Sequence, residues 1–378
     1  MDSFDLFIFA GENSADRYGQ SLIKEILLLN PSVKILAVAG PFMRKEKIDV
    51  LMNMEEFRVM GFIDVISFLP KLIKNFFFLK KTILKLNPKA CIFIDYPDFN
   101  LRLEKSLRKN GYKNKLVHFI SPTIWAWRKK RALSMAKYLD LLLTIFPFEK
   151  KYYSNTNLEV KYIGHPLAFE IINSSKIDDD RQKELIGIFP GSRKKEIERN
   201  FPIQLAAVKK LLKEDNNLKF AISVTDRQLI DEIIKKQNFD TDNFIFFNSD
   251  KNYFYMNKLK IALATSGTIN IELALHKIPT IVNFLIKPLD LFIAKNILRI
   301  NLPFYCIVNI LLNQEVFVEL YGPNLSIDSL YNQTKKLLYN EDLQRSCKIQ
   351  CQNLINLLKT PSPSQVAAKQ ILSITKLD

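Results

Sequence analysis

At 378 residues the chain is too long for one ordinary core and reads as two domains, while 48% hydrophobic and 25% charged residues place it among soluble globular proteins. No apolar run reaches the roughly 18 residues of a membrane-spanning helix, and four cysteines without a C-x-x-C pair, beside only three histidines, exclude a zinc module. The formal charge of +16 points to an anionic partner unless a lysine-rich proteome raises the count by itself; scattered lysines with no zinc-finger, RNP or basic-zipper pattern set nucleic acid aside and leave a nucleotide, a phosphorylated substrate or an acidic membrane surface.

Strands and helices alternate along the chain, which predicts an α/β fold of two doubly wound, Rossmann-like domains with parallel sheets. Met1 is followed by Asp2 and Asp5 rather than a basic leader, so residues 6–10 read as a first strand and the protein is expected to stay in the cytoplasm. A loop, Gly11-Glu12-Asn13-Ser14-Ala15-Asp16, leads to a helix near residues 17–29. Further strands fall at 35–39, 91–94, 116–120, 141–146 and 160–163. The polar stretch 173–183, with Ser174-Ser175 and Asp178-Asp179-Asp180, reads as a linker. Strands at 185–189, 220–224, 244–247, 261–264 and 280–284 follow, and the chain ends in helical segments. The expected organisation is an N-terminal domain (1–172), the linker (173–183), a second domain (184–345) and a C-terminal helical tail (346–378).

Two strand-to-turn-to-helix joints in the second half suit a phosphate: Phe189-Pro190-Gly191-Ser192-Arg193 and Ala264-Thr265-Ser266-Gly267-Thr268. Either alone is also what a plain helix cap looks like. In the first half Asp95 closes the apolar strand 91–94, where doubly wound sheets place their ligands. Asp98 is its competitor, and as the residue before a helix at 99–109 it also reads as an N-cap. Glu12 stands after the first strand at the same sheet edge, with capping of the first helix as its plain role, one that Asp16 would fill equally.

Taken in order, Gly11-Glu12-Asn13-Ser14-Ala15-Asp16, Ile94-Asp95-Tyr96-Pro97-Asp98-Phe99-Asn100, Ser121-Pro122-Thr123-Ile124-Trp125-Ala126-Trp127-Arg128, Phe146-Pro147-Phe148-Glu149, Ile163-Gly164-His165-Pro166, Pro190-Gly191-Ser192-Arg193 and Ser266-Gly267-Thr268 with Glu272 resemble lipid-A-disaccharide synthase, a GT-B glycosyltransferase family. The resemblance covers about four fifths of the chain, and it implies two domains facing one another across a cleft, with 1–172 the acceptor and membrane-facing domain, 184–345 the UDP-sugar donor domain, and the C-terminal helices packing back towards the first domain. It implies an inverting, metal-independent transferase without a cofactor, which moves 2,3-diacylglucosamine from its UDP donor to the 6-hydroxyl of 2,3-diacylglucosamine 1-phosphate. The products are a β-1,6 disaccharide and UDP, made at the cytoplasmic face of the inner membrane. Asp95 is then the base, assisted by Glu12. Gly191, Ser192, Arg193, Ser266, Gly267 and Thr268 receive the departing diphosphate, Glu272 the ribose hydroxyls, and Asn309 touches the donor. Where the family pattern has Gly, Asp, Pro and Gln, this chain has Ala15, Phe169, Val308 and Gly322; Ala15 requires that φ stay negative in its loop.

Phe68, Leu69, Leu72, Ile73, Phe76, Phe77 and Phe78, interleaved with Lys71, Lys74, Lys80 and Lys81, form an amphipathic basic segment fit for acyl chains or an anionic membrane. Residues 69, 72, 73 and 76 also have the spacing of a core helix. A second apolar and basic stretch at 284–302 would add to this surface or to a homodimer contact. Asp178-Asp179-Asp180 has D-x-D spacing but sits in the linker. His165 is either catalytic or a structural loop residue, and Trp125 and Trp127 either stack on a sugar or close a core. Two other readings stand beside the transferase: another GT-B enzyme on a UDP-sugar, such as an epimerase or a transferase with a soluble acceptor, and a non-enzymatic nucleic-acid or membrane-binding protein.

Overall fold

The structure is a computed structural model that describes residues 3–57, 64–126, 130–174, 185–292, 296 and 302–377. Trp127, Arg128, Asp178-Asp179-Asp180, most of the expected linker and part of the 284–302 stretch lie outside the described residues, as does the side chain of Phe68. In chain order the elements are β1 (Leu6–Ala10), α1 (Asn13–Leu29), β2 (Ile35–Ala39), β3 (Asp49–Asn53), α2 (Asp64–Leu86), β4 (Ala90–Ile94), α3 (Pro97–Lys109), β5 (Lys115–Phe119), α4 (Arg131–Met135), β6 (Leu141–Thr144), β7 (Glu159–Tyr162) and α5 (Pro166–Ser174). They continue with β8 (Leu185–Phe189), α6 (Lys194–Glu214), β9 (Lys219–Val224), α7 (Arg227–Lys236), β10 (Phe244–Asn248), α8 (Asn252–Met256), β11 (Ile261–Thr265), α9 (Ile269–Leu275), β12 (Thr280–Phe284), α10 (Pro288–Phe292), α11 (Ile307–Leu312), β13 (Val318–Tyr321), α12 (Ile327–Tyr339), α13 (Glu341–Leu358) and α14 (Pro363–Thr375).

The chain divides into two compact units, Met1–Phe169 with Thr360–Asp378, and Glu170–Lys359. The first holds a parallel sheet in the order β3-β2-β1-β4-β5-β6-β7, the second a parallel sheet in the order β10-β9-β8-β11-β12-β13. Helices cover both faces, so inner strands such as Leu6–Ala10 and Leu185–Phe189 are buried along their whole length rather than alternately. The period of two still sorts the side chains. Ile8, Ile92 and Ile94 meet Leu22, Ile23 and Ile26 of α1 on one face, while Phe7, Phe9 and Phe93 meet Leu79 and Ile83 of α2 and Leu103 of α3 on the other.

In each sheet the winding direction reverses once, between β1 and β4 and between β8 and β11. A crevice opens at such a switch point outside the carboxyl ends of the strands. Glu12 and Asp95 follow β1 and β4; Gly191 and Ser266 follow β8 and β11. The fold thus delivers both residue groups to the ends of central strands.

Several local expectations change. The first helix begins at Asn13, and Ala15 lies inside it with negative φ. Asp16 does not cap α1: fully buried, its carboxylate accepts the N–H groups of Gly40 (2.9 Å), Phe42 (2.8 Å) and Met43 (3.0 Å), which ties α1 to the loop after β2. Asp98 is not an N-cap either, because α3 starts one residue earlier at Pro97 with Tyr96 in the cap position. Two edge strands, β3 and β13, had no expectation at all, and β13 interrupts the helical end. Within residues 346–378, α13 belongs to the second unit and α14 packs on α1 in the first.

Candidate active site

The chemistry of the first unit gathers at the carboxyl end of β4. Asp95 and Tyr96 both adopt left-handed backbone conformations, φ 49° and 50°, which side chains other than glycine adopt at a cost. The strain is held from several sides. Asp95 N–H donates to the Phe119 carbonyl (2.8 Å), Asn100 Nδ2 donates to the Asp95 carbonyl (2.6 Å), and the Tyr96 hydroxyl donates to the Phe57 carbonyl (3.1 Å). Gly11 lets this turn come close, since a Cβ there would lie 2.9 Å from the Tyr96 ring.

So held, the Asp95 carboxyl shares a hydrogen bond with Glu12. Burial first, then the charge and hydrogen bond of Glu12, push Asp95 up to about 6 from 3.8, against the pull of His118 and the Tyr96 N–H. A carboxyl at that level is ionised at neutral pH yet basic enough to take a proton from a hydroxyl. Glu12 occupies the N-cap position of α1 without capping it and instead accepts the Ser14 hydroxyl at 2.7 Å.

The carboxyl pair opens into a cavity of about 900 Å³ whose far wall is apolar. Leu69, Leu72, Ile73, Phe76 and Phe77 of α2 form that wall, and Tyr96, Pro97, Asp98, Phe99 and Arg102 line the side of α3. Asp98 is exposed and pairs with Arg131 at 2.8 Å. Helix α2 is amphipathic twice over. Leu79 and Ile83 enter the core and Leu72 and Phe76 pack partly against it, whereas Leu69, Ile73, Phe77 and Phe78 remain exposed.

In the second unit a smaller cavity, about 230 Å³, is bordered by Gly191, Ser192, Ser266, Gly267, Thr268 and Glu272. Gly191 has φ 116°, and the N–H groups of Ser192 and Arg193 turn towards the Glu196 carboxylate at 3.3 and 3.4 Å. Arg193 Nη1 donates to the same carboxylate (2.8 Å), with its side chain 83% exposed and outside the cavity lining. Burial raises Glu272 to about 7, which a hydrogen bond with Tyr253 moderates. Asn309 is not brought to this cavity. Fully buried, its amide donates to the Phe317 carbonyl and to Glu319 Oε1, both at 2.7 Å, and accepts the N–H groups of Val316 and Phe317 at 2.9 Å. It clamps α11 to the segment entering β13, and Val308 sits beside it inside the helix rather than in a turn.

Of the remaining signals, His165 is structural: buried, lowered to about 4 by burial and therefore neutral, it accepts the Ala168 N–H at 3.2 Å through Nδ1. Trp125 is buried against the edge of Phe148. Sequence reasoning missed Glu104, His118, Asn100 and Arg102 near Asp95. A histidine inside the apolar run Lys115-Leu116-Val117-His118-Phe119 was the available sign of the first two. It also missed Glu196, which the R-x-x-E spacing of a capping box would have given.

A family model described as lipid-A-disaccharide synthetase matches residues 6–373. The chain belongs to the lipid-A-disaccharide synthase family. A lipid-A-disaccharide synthase of Geobacter sulfurreducens is 30% identical over 339 residues, 87% of this chain and 86% of that protein. Those of Chlamydia pneumoniae and Chlamydia muridarum are 38% and 41% identical over 362 and 330 residues. These stretches are 91% and 85% of this chain but 59% and 54% of those proteins, so the chain spans little more than half the length of its chlamydial relatives.

Among solved structures, S. aureus MnaA in a co-structure with UDP has a TM-score of 0.65 at 14% identity, covering 100% of this chain and 98% of that one. A UDP-GlcNAc 2-epimerase from Neisseria meningitidis bound to UDP-GlcNAc has 0.62 at 11%, covering 99% of each. The glycotransferase of kitacinnamycin has 0.60 at 10%, covering 98% of each. At these identities the likeness is one of fold, the two Rossmann-like units of the GT-B class. In the lipid-A-disaccharide synthase family, then, this member carries its conspicuous carboxyl pair in the first unit and its glycine-marked joints in the second.

Proposed function

We propose that this lipid-A-disaccharide synthase family member transfers a 2,3-diacylglucosamine unit from UDP to the 6-hydroxyl of 2,3-diacylglucosamine 1-phosphate in lipid A biosynthesis. Asp95 accepts the hydroxyl proton, the oxygen forms its bond to the anomeric carbon, and the bond from that carbon to the diphosphate breaks, releasing UDP with inversion. Glu12 acts on Asp95 by raising its basicity. The donor diphosphate is received by Gly191, Ser192 and Arg193 with Ser266, Gly267 and Thr268, and Glu272 accepts from the ribose.

The observation that carries this reading is the Asp95–Glu12 pair opening onto an apolar cavity of about 900 Å³. A base beside a greasy wall suits a sugar whose bulk is acyl chain, and a soluble acceptor has no use for that wall. The exposed stripe Leu69, Ile73 and Phe77, with Lys74 and Lys81 exposed beside it, supports peripheral attachment to an anionic membrane. No helix among the described residues is long and apolar enough to cross one.

The test is to incubate the purified protein with both acylated substrates and follow UDP and a disaccharide monophosphate. Both products should form, and Asp95→Asn should lower turnover by about 10²–10⁴-fold while UDP affinity stays within twofold. Release of UDP without disaccharide, or formation of an epimerised sugar nucleotide, would refute the transfer reaction. Near-normal turnover in Asp95→Asn would remove Asp95 from the mechanism.

A further inference from the structure

Behind Asp95, on the interior side of β4, lies a polar group that the proposed reaction does not use. His118 stands on β5 opposite Phe93, two residues before Asp95, and its Nδ1 lies 2.6 Å from Glu104 Oε1 on α3. Both side chains are fully buried. Asn100, one turn before Glu104 on the same face of α3, is also fully buried and is bonded to the Asp95 carbonyl.

Three atoms of this group, His118 Nε2, Glu104 Oε2 and Asn100 Oδ1, have no hydrogen-bond partner among the described residues. Each such atom gives up its bonds to water without replacement, and an apolar trio of the same shape would fill the space at less cost. A polar cluster kept at that expense beside a strained base calls for a role at the base. His118 has one nitrogen committed to Glu104, so its ring orientation is fixed by the carboxylate, as in other anchored histidines.

We infer that Glu104 and His118 form a buried hydrogen-bonded pair that positions and supports the Asp95 carboxylate, with Asn100 holding the Asp95 backbone in its left-handed turn. Glu104 and His118 are positioning residues, because neither borders the cavity. The inference rests on the reading of Asp95 as the base.

The groups that act on Asp95 can be told apart. Glu12 faces it from the loop after β1, the Tyr96 N–H from its own turn and His118 from β5; Asp98 and Arg102 of α3 share the cavity wall. His118 pulls the carboxyl down, and Glu104 holds the His118 ring through its bond to Nδ1. Glu104 also acts on Cys91 of β4 and on Tyr138. Loss of either member of the pair therefore reaches Asp95 through His118.

The experiment is nuclear magnetic resonance on the full chain labelled at the aspartate carboxyl carbons and histidine nitrogens, with Asp95 assigned by its loss in Asp95→Asn. In the unaltered protein His118 Nδ1 should show the signature of a strong hydrogen bond to Glu104; its absence would overturn the inference without any variant. In His118→Gln the Asp95 titration midpoint should rise by about one pH unit, and in the isosteric Glu104→Gln, which frees the ring that the carboxylate anchors, it should move as well. UDP affinity should stay within twofold, which reports an intact second unit. An unmoved midpoint in either variant that folds would reduce the pair to packing. None of these readings uses transfer activity, so a failed disaccharide assay and a failed positioning pair are separate results.

Discussion

Glu149 shows how far burial can displace one carboxyl that is bonded to nearby backbone. It is buried at the end of β6, where the N–H groups of Ile145 (3.2 Å) and Phe146 (3.0 Å) donate to its Oε2, yet burial outweighs both bonds and lifts it to about 8. Unfolded, the same group titrates near its ordinary 4.5. Between these values the native state holds a proton that the unfolded chain lacks. The stability Glu149 contributes is therefore complete below pH 4.5 and is lost as pH rises through 8, by at most about 1.4 kcal/mol per pH unit. Glu149→Gln keeps the accepting oxygen and removes the titration. Urea unfolding at pH 5.5 and 7.5 should show a smaller fall for the variant than for the parent; equal falls would mean that Glu149 is ionised throughout. Asp95, at about 6, obeys the same sign, but its carboxyl faces a cavity and its neighbours are acidic and polar. That difference separates a fold-holding carboxyl from a candidate base, and the sequence carries little of it. Asp95 was legible as a strand-end acid, whereas Glu104 and His118 become a pair only once β5 lies beside β4 and α3 covers both.

Elements were legible where burial is complete and obscure where it is partial. The inner strands are continuous apolar runs and could be read directly; β3, whose sequence Asp49-Val50-Leu51-Met52-Asn53 is exposed or half-buried throughout, gives neither a run nor an alternation. The same partial burial makes α2 ambiguous, because its apolar residues serve two surfaces. Leu79 and Ile83 answer to the core, Leu69, Ile73, Phe77 and Phe78 to something outside it. Their energetics should divide accordingly. Leu79→Ala should cost about 2–5 kcal/mol, since a fully buried leucine leaves a cavity. Phe77→Ser and Phe78→Ser, at positions 55% and 47% exposed, should each stay within about 0.5 kcal/mol in urea unfolding. The double serine variant should nevertheless lose most of its sedimentation with vesicles rich in phosphatidylglycerol. If it unfolds as readily as Leu79→Ala, the exposed stripe belongs to the core and the membrane role falls.

At the scale of the whole molecule, chain order and spatial order part company at Lys359. The sequence places α13 and α14 together at the end of the chain, yet the boundary between the units falls between them, at Thr360. Local signals mark α14 as a helix: the Ser362 hydroxyl accepts the Gln365 N–H, Pro363 opens the first turn, and Lys376 closes it with φ 54°. They say nothing of its neighbour. What decides that is the face Ala367, Ala368, Ile371 and Leu372, small enough in its first half to lie close on α1 and wholly absorbed into the core formed by Leu22, Ile23, Ile26 and the inner strands. Asn30 Nδ2 then fixes the end by donating to the Leu377 carbonyl at 2.7 Å. Removing residues 360–378 should therefore damage the unit that lies farthest away in sequence. Hydrogen exchange read by mass spectrometry should show β1, β2 and α1 losing protection by at least a hundredfold, while β8, β9 and β11 exchange as before. Loss of protection confined to α13 and α12 would show instead that the last helix serves the second unit. Because Glu12 and Asp95 both follow strands of the damaged sheet, the truncated chain should also lose transfer while still binding UDP, so that the last helix controls only the acid–base half of the proposed chemistry.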